Sequence, residues 1–173
     1  MPASRKPAPA RASARLPDAS PIASLGLDPA NYDSQRSIGY WLKLAYAALQ
    51  RSLDARMQPL ELTGMQWGPL WLIAYRGVDT VAACVREAGT DAGAMTRMLD
   101  RLEAKGLVAR ERSSQDRRVV QLRLTPRGHE VVAQIPPILI AVLEQHLRGF
   151  SAAEALRLLD MLQRFVQNGD ACA

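Results

Sequence analysis

The stretch TDAGAMTRMLDRLEAKGLVARERSSQDRRVVQLRLTP, residues 90–126, decides the fold of this 173-residue chain. Its pattern predicts a helix that starts at Thr90/Asp91 and ends at Gly106, since glycine commonly follows the last helical turn. A strand over residues 107–112, a polar turn over 113–116 and a returning strand over 119–124 predict a hairpin with an arginine-rich tip. A helix directly followed by such a hairpin is the layout of a winged helix-turn-helix.

Helical patterns precede this stretch. Residues 34–58 carry apolar side chains at helical spacing on more than one face, and both faces of such a helix must be buried. Residues 63–76 predict a second helix with a Thr63/Gln66 capping box, in which Pro69 should bend the helix or displace its start. Residues 79–87 predict a short third helix that Gly89 closes, so a helix, a short turn and a helix precede the hairpin.

Two further helices follow the hairpin. Thr125 followed by Pro126 is a typical helix start, and the pattern predicts a long helix to about Leu147 that Pro136-Pro137 should kink. A Ser151/Glu154 capping box predicts the start of a last helix with one apolar stripe. In the hairpin itself, residues 120, 122 and 124 should form the packed face. The predicted fold class is therefore mainly α with a small β-hairpin wing: a winged helix-turn-helix plus a helical dimerisation layer.

Five regions are expected along the chain. Residues 1–30 should be a disordered, basic, Pro/Ala-rich arm, because they carry few residues that could form a core. This arm either adds phosphate contacts or is a passive tail. Residues 31–62 should form an N-terminal dimerisation helix, 63–128 the DNA-binding domain, 129–168 the C-terminal dimerisation helices, and 169–173 a tail.

Composition limits the classes of function. The net charge of +5 fits a polyanionic partner, although a solubilising surface explains it equally well. Cys84 and Cys172 form no CxxC pair, the start of the chain lacks a secretory signal, and no apolar run has membrane-spanning length, so we expect a cytoplasmic protein without membrane contact. We find no nucleophile–base pair, metal cluster or phosphate loop, and we therefore expect neither an enzyme nor a cofactor.

The segment TRMLDRLEAKGLVARERSSQDRRVVQLRLTPRGHE resembles the MarR family of bacterial transcription regulators. It contains the family's T-R-x-x-D-x-L-x-x-K-G helix end, its D-x-R wing and its L-x-L-T-x-x-G exit, and the likeness spans roughly residues 34–168. The Pro-Pro pair is similar to that of the MprA/EmrR efflux-regulator subgroup. The resemblance implies a homodimer, a pseudo-palindromic double-stranded DNA operator, and repression relieved by a small, often aromatic and anionic, effector.

The candidate DNA-binding residues lie in the helix that begins at Thr90 and in the hairpin. A guanidinium at Arg118 suits a narrow minor groove, and Asp116 either holds it or forms an ordinary solvated ion pair. Thr96 is suited to bond a base or a phosphate, whereas Asp91 is equally well explained as a helix cap. The full set is Thr90, Asp91, Ala94, Thr96, Arg97, Arg101, Arg112, Asp116, Arg117 and Arg118.

An aromatic acid would need an apolar slot and a cation. The candidates on the first two helices are Arg36, Tyr40, Trp41, Lys43, Trp67 and Trp71. For any one of them, an ordinary core aromatic or a solvated cation is the simpler explanation. Two alternative functions stay open: a winged-helix module that binds protein, which would show no salt-dependent affinity for a duplex, and a redox-responsive regulator acting through Cys84, which a buried position would argue against.

Overall fold

The computed structural model describes residues 21–30, 32–112 and 120–171, and these are mostly helical. Two compact units divide the chain, one ending at Ala45 and the other beginning at Tyr46. Helix α2 (Ile38–Met57) crosses this boundary. None of the helices in the described ranges is both long and apolar enough to cross a membrane.

The first unit contains one turn of helix, α1 (Pro21–Ser24), a 3-10 turn over Ser34–Arg36, and the start of α2. Asp33 caps the 3-10 turn, because its side chain accepts the N–H of Gln35 at 2.9 Å. Helix α1 lies within the arm expected over residues 1–30, and residues 1–20 lie outside the described part of the chain, so the disorder of this arm stays a prediction. The helix predicted from residue 34 begins as a 3-10 turn and becomes α-helical at Ile38.

Helices α3 (Trp67–Tyr75), α4 (Val81–Ala88) and α5 (Ala92–Ala104) follow in the second unit. Their buried side chains form one core with the end of α2, and its most enclosed members are Met57, Leu70, Cys84, Met95, Leu99 and Leu102. Helices α4 and α5 each contribute one apolar face, as expected for amphipathic helices, whereas α3 consists almost entirely of apolar residues.

Helix α3 starts at Trp67 rather than at the predicted Thr63. Residues 63–66 form a turn in which Gln66 Oε1 accepts the N–H of Thr63 at 3.1 Å, while the Gln66 N–H donates to the backbone oxygen of Thr63. Pro69 is the third residue of the helix, where a missing N–H costs nothing because the first-turn N–H groups have no intrahelical acceptor. Of the two effects predicted for Pro69, the displaced start is the one observed.

Strands β1 (Val108–Arg112) and β2 (Val120–Leu124) form an antiparallel hairpin with Val108 opposite Leu124 and Arg112 opposite Val120. The Leu122 N–H also donates to the backbone oxygen of Asp79 at 2.7 Å, which ties the hairpin to the segment before α4. Leu122 is buried, but Val120, predicted on the packed face, is 42% exposed because it lies at the distal end of the hairpin. Residues 113–119, the predicted turn and wing tip, lie outside the described residues.

The predicted long fifth helix is two helices, α6 (Pro126–Ala133) and α7 (Ile135–His146), separated at Gln134. Pro136 and Pro137 are the second and third residues of α7, where they fit the helix start but cannot donate to carbonyls of α6. A break therefore replaces the expected kink.

The last helix, α8 (Ala152–Asp170), begins with the predicted capping box. Ser151 Oγ accepts the Glu154 N–H at 3.3 Å, and Glu154 Oε2 accepts the Ser151 N–H at 2.8 Å. All residues of α8 are described, and none of them is buried within the chain.

Candidate nucleic-acid interface

Helices α4 and α5 form a helix-turn-helix whose turn is set by two caps and a glycine. Thr80 Oγ1 accepts the N–H of Ala83 at 3.3 Å to start α4. Gly89 ends α4 with φ of +60°, a conformation that glycine adopts without strain. Asp91 Oδ1 then accepts the N–H of Ala94 at 2.9 Å to start α5. Asp91 is therefore a helix cap, and its contact with DNA stays a prediction.

Helix α5 has one face for the core and one for solvent. Met95, Leu99 and Leu102 face inward with 1% exposure or less. The outward face carries Thr96, Arg97, Asp100, Arg101 and Ala104, all exposed. An exposed, capped helix of this kind following a short turn is the element that enters a major groove in helix-turn-helix proteins.

The first turn of α5 places the remaining candidates at different depths. Ala94 is half-buried. The Thr96 hydroxyl donates to the backbone oxygen of Ala92 at 2.8 Å, so one of its bonding directions is already used within the helix. Thr90 differs most from the sequence-based prediction: its Oγ1 is buried, and it has no hydrogen-bond partner among the described residues.

The arginines of this region fall into two groups. Arg110, Arg123 and Arg127 form ion pairs within the chain, and the tightest joins Arg110 Nη1 to Asp100 at 2.7 Å and to Glu103 at 2.8 Å. Arg110 therefore connects the base of the hairpin to α5, and Asp100 is occupied by this pair. Because these three arginines are paired with acids of the same chain, less positive charge is available to a partner than the basic residues of 107–128 would suggest.

The second group comprises Arg97, Arg101 and Arg112, which form no ion pair within the described ranges. All three are exposed, on the outward face of α5 and at the end of β1. Asp116, Arg117 and Arg118, the candidates at the wing tip, lie outside the described residues.

Several residues missed as functional candidates hold this surface together. Lys105 Nζ donates to Gln66 Oε1 at 2.9 Å and also to the backbone oxygen of Glu61, which fastens the end of α5 to the segment before α3. Thr125 Oγ1 donates to the backbone oxygen of Gly106 at 2.6 Å. Lys105 belongs to the K-G motif and Thr125 to the L-T-x-x-G motif, so both residues could have been selected from the sequence. The spacing of a motif does not reveal which residues its side chains contact.

Gly128 is required at the junction of the hairpin and α6. A Cβ at this position would lie 2.1 Å from the backbone oxygen of Leu107, closer than any real contact. The Gly128 N–H donates to Thr125 Oγ1 at 3.0 Å, which completes the N-cap of α6. The glycine therefore lets α6 pack directly against the start of β1.

A cavity of about 280 Å³ lies in the second unit between α2, α3 and α5. Its walls include Tyr46, Gln50, Trp67, Thr90, Met95 and Met98. Trp67 is the ligand candidate that lines it. Trp71 does not, and its ring packs instead on Tyr75 with centroids 4.3 Å apart.

The other ligand candidates, Arg36, Tyr40, Trp41 and Lys43, belong to the first unit. There, the Trp41 indole N–H donates to the backbone oxygen of Gln35 at 2.8 Å, and the ring meets Tyr40 edge-on at 5.6 Å. Arg36 and Lys43 are exposed. Of the three tryptophans, only Trp67 therefore lines the cavity. Trp71 packs on Tyr75, and Trp41 packs on Tyr40 within the first unit.

Cys84 is fully buried in α4. Burial and the nearby Asp79 charge raise the pKa of the thiol to about 11, so the thiol is protonated at neutral pH. A thiolate is the reactive form of cysteine, and Cys84 is therefore poorly suited to redox sensing. No group of three potential metal ligands occurs in the part of the chain that the structure describes.

Known proteins share this arrangement. The model of the MarR family matches residues 62–120. The reduced form of MarR from E. coli is 27% identical to this chain, with a TM-score of 0.67 over 75% of this chain and 96% of that one. A mutant MarR from E. coli complexed with operator DNA is 27% identical, with a TM-score of 0.69 over 74% and 92%.

A third solved structure is BpsR of Bordetella bronchiseptica, whose DNA binding is regulated by 6-hydroxynicotinic acid. It is similar to this chain with a TM-score of 0.72 over 79% of this chain and 97% of that one. At 23% identity, this likeness shows a shared fold.

Proposed function

We propose, from the premise that this chain belongs to the MarR family of transcription regulators, that it is a homodimeric repressor that binds a palindromic operator in double-stranded DNA and is released by a small ligand. The observation that carries this proposal is the division of the arginines. Those that hold the winged helix-turn-helix together are paired with acids, whereas Arg97, Arg101 and Arg112 are exposed and form no ion pair in the described residues.

The outward face of α5 enters the major groove in this proposal. Arg97 and Arg101 contact phosphates, which positions the helix, and Thr96 and Ala94 lie near base edges. Asp91 caps the helix, so its contribution to DNA binding is to fix the first turn. Operator-bound MarR from E. coli, with 27% identity and the same fold, supports this docking mode.

The hairpin lies beside the adjacent minor groove. Arg112 sits at the end of β1, and Arg117 and Arg118 follow it in the sequence. Arg118 enters the groove, where a guanidinium meets a strong negative potential, and Asp116 orients it through a charge-assisted hydrogen bond. The Arg110 link to Asp100 and Glu103 keeps the base of the hairpin fixed relative to α5.

A second copy of the chain covers α8. Leu156, Leu159, Phe165 and Val166 are 69%, 53%, 52% and 60% exposed, which is unusual for a stripe of such residues on a single chain. On α7, Ile140 and Leu143 are exposed to a similar degree. Two-fold pairing of these helices would place two α5 helices on half-sites roughly 34 Å apart.

A ligand in the cavity accounts for release. Its walls join α2 to the start of α5, so a bound molecule contacts both the helix leading to the dimer layer and the helix that reads DNA. The ligand lowers operator affinity only by preferring the arrangement that does not match the half-sites. Members of the MarR family are regulators rather than enzymes. On this basis, we propose that the protein acts in the cytoplasm and catalyses no reaction.

An operator can be selected from random duplexes by the purified full chain, and affinity can then be followed by fluorescence anisotropy. Arg101→Ala should weaken operator binding by about tenfold. It should also lower the slope of log K against log salt concentration by about one, the value for one lost phosphate contact. Arg164→Ala, which removes an exposed arginine paired with Asp160 on α8, is the matched control and should change neither value. Equal losses in the two variants, or affinity for duplexes that does not depend on salt, would contradict the proposed interface.

A further inference from the structure

The walls of the 280 Å³ cavity are unsuited to the anionic ligands that the family resemblance implies. Every residue that lines it, among those described, is uncharged at neutral pH. Enclosing a carboxylate without a countercharge is strongly unfavourable, because the ion loses its hydration and gains no partner. The cavity therefore favours a neutral molecule.

Two polar atoms in these walls lack partners. Gln50 Oε1 on α2 and Thr90 Oγ1 just before α5 are both buried, and neither has a hydrogen-bond partner among the described residues. They are the two side-chain atoms of the described chain in this condition. Buried polar groups are normally paired, so two unpaired ones in the same cavity indicate where a ligand's polar group would bind.

The remaining walls fit a flat apolar ring. Met65, Met95 and Met98 are flexible, polarisable side chains that adapt to a bound molecule, and Trp67 offers an aromatic surface. A dry cavity of roughly 150 Å³ is enough for benzene. A cavity of about 280 Å³ is accordingly large enough for one or two fused rings.

We propose that this cavity binds an uncharged one- or two-ring molecule whose N–H or O–H group donates to Gln50 Oε1, with the Thr90 hydroxyl as a second polar contact. Its regulatory role rests on the proposed function, because Thr90, Met95 and Met98 belong to α5 or directly precede it. A molecule bound in the cavity positions the inner face of α5 against α2. It thereby selects the distance between the two α5 helices of the dimer.

Three probes of similar shape test the ligand chemistry by calorimetry on the full-length chain without DNA. Indole has a ring N–H and no charge, indene has the same shape without the N–H, and indole-3-carboxylate adds a negative charge. Indole should bind about tenfold more tightly than indene, the effect of one hydrogen bond to a buried acceptor, and the carboxylate should bind most weakly. Equal affinity for indole and indene, or tighter binding of the carboxylate, would overturn the proposal.

Gln50→Leu identifies the acceptor. It should abolish the preference for indole over indene while leaving the free energy of unfolding equal or higher, because the variant removes an unpaired buried oxygen. A purely structural glutamine would instead lower stability. Gln58→Leu, at an exposed position, is the matched control and should keep the preference. If Gln50→Leu does not fold, Thr90→Val is the second variant, because it preserves the shape of the side chain. It should weaken indole binding severalfold. Unchanged indole binding in either variant would contradict the site.

The two proposals fail in different ways. If indole binds with the expected preference but the protein selects no operator, the site stands and the regulatory function fails. If an operator is selected but the indole preference is absent, this inference fails alone. If both hold, adding indole should change operator affinity in wild type, and about tenfold more indole should be needed for the same change in Gln50→Leu.

Discussion

Helices α5 and α8 are alike in sequence and opposite in surroundings. Each begins at a residue whose side chain accepts a helical N–H, and each carries an apolar stripe at helical spacing. Leu99 in α5 is fully buried, whereas Leu156 in α8 is 69% exposed. The comparison teaches that an apolar stripe encodes burial but does not say which chain provides the cover.

Charging the stripe of α8 should have the largest effect. In the double variant Leu159→Asp/Phe165→Asp, two large apolar side chains worth about 2 kcal/mol each are lost from each of the two protomers, about 8 kcal/mol per dimer, so dimer affinity should fall by roughly a millionfold. Sedimentation equilibrium measures this change, with circular dichroism to verify that the helices persist. Gln163→Asp adds a charge to the same helix at an exposed polar position and should leave the dimer intact; an unaffected dimer in the double variant would mean that α8 is not covered by a second copy.

A smaller effect is expected where α6 meets the hairpin, since that region is covered by its own chain. Gly128→Ala forces a Cβ to within 2.1 Å of the Leu107 oxygen, so α6 or β1 must shift. Overpacking of this kind costs about 3 kcal/mol, and urea unfolding should show the loss at all protein concentrations. Gly68→Ala, where nothing lies within 4 Å of the added carbon, is the control and should be neutral or slightly stabilising; similar losses in both variants would exclude the close approach as the cause.

The smallest effect concerns the start of α8. Hydrogen bonds from the backbone and then the side chain of Ser151 lower the pKa of Glu154 below its ordinary value of 4.5. Folding therefore favours the ionised carboxylate, and this contribution to stability is fully present above pH 4.5 and is lost as pH falls below 4.5 and through the lower pKa of the folded state. Urea unfolding at pH 6 should show a small loss for Glu154→Gln that becomes smaller as pH is lowered to 3, whereas Glu144→Gln, which removes an exposed carboxylate outside any helix cap, should show no loss at pH 6. A loss that persists unchanged at pH 3 would contradict the role of the charged cap.

Local patterns were sufficient to predict much of this fold. The caps at Thr125 and Ser151, the helix that ends before Gly106 and the hairpin all follow from interactions between residues close in sequence. The effect of Pro136-Pro137 was underestimated, because two successive missing donors end a helix rather than bend it.

Contacts between distant residues were the part that sequence could not supply. The pairing of Arg110 with Asp100 and Glu103 is one such contact, since it joins a strand to a helix. Thr90 was assigned to the DNA surface, yet its hydroxyl is buried in a cavity wall. Neither outcome is visible in spacing or composition, because each depends on how separate helices and strands pack.

The pairing of Arg110, Arg123 and Arg127 also bears on how such a protein can change over generations. These arginines stabilise the framework, so replacing one leaves an acid without its partner. Arg97, Arg101 and Arg112 form no ion pair within the described residues, so under the proposed function substitutions there should change DNA affinity without changing the fold. Under the proposed function, the residues that hold the framework are thus separate from those that set the strength of DNA binding, and affinity for DNA can change on an unchanged scaffold.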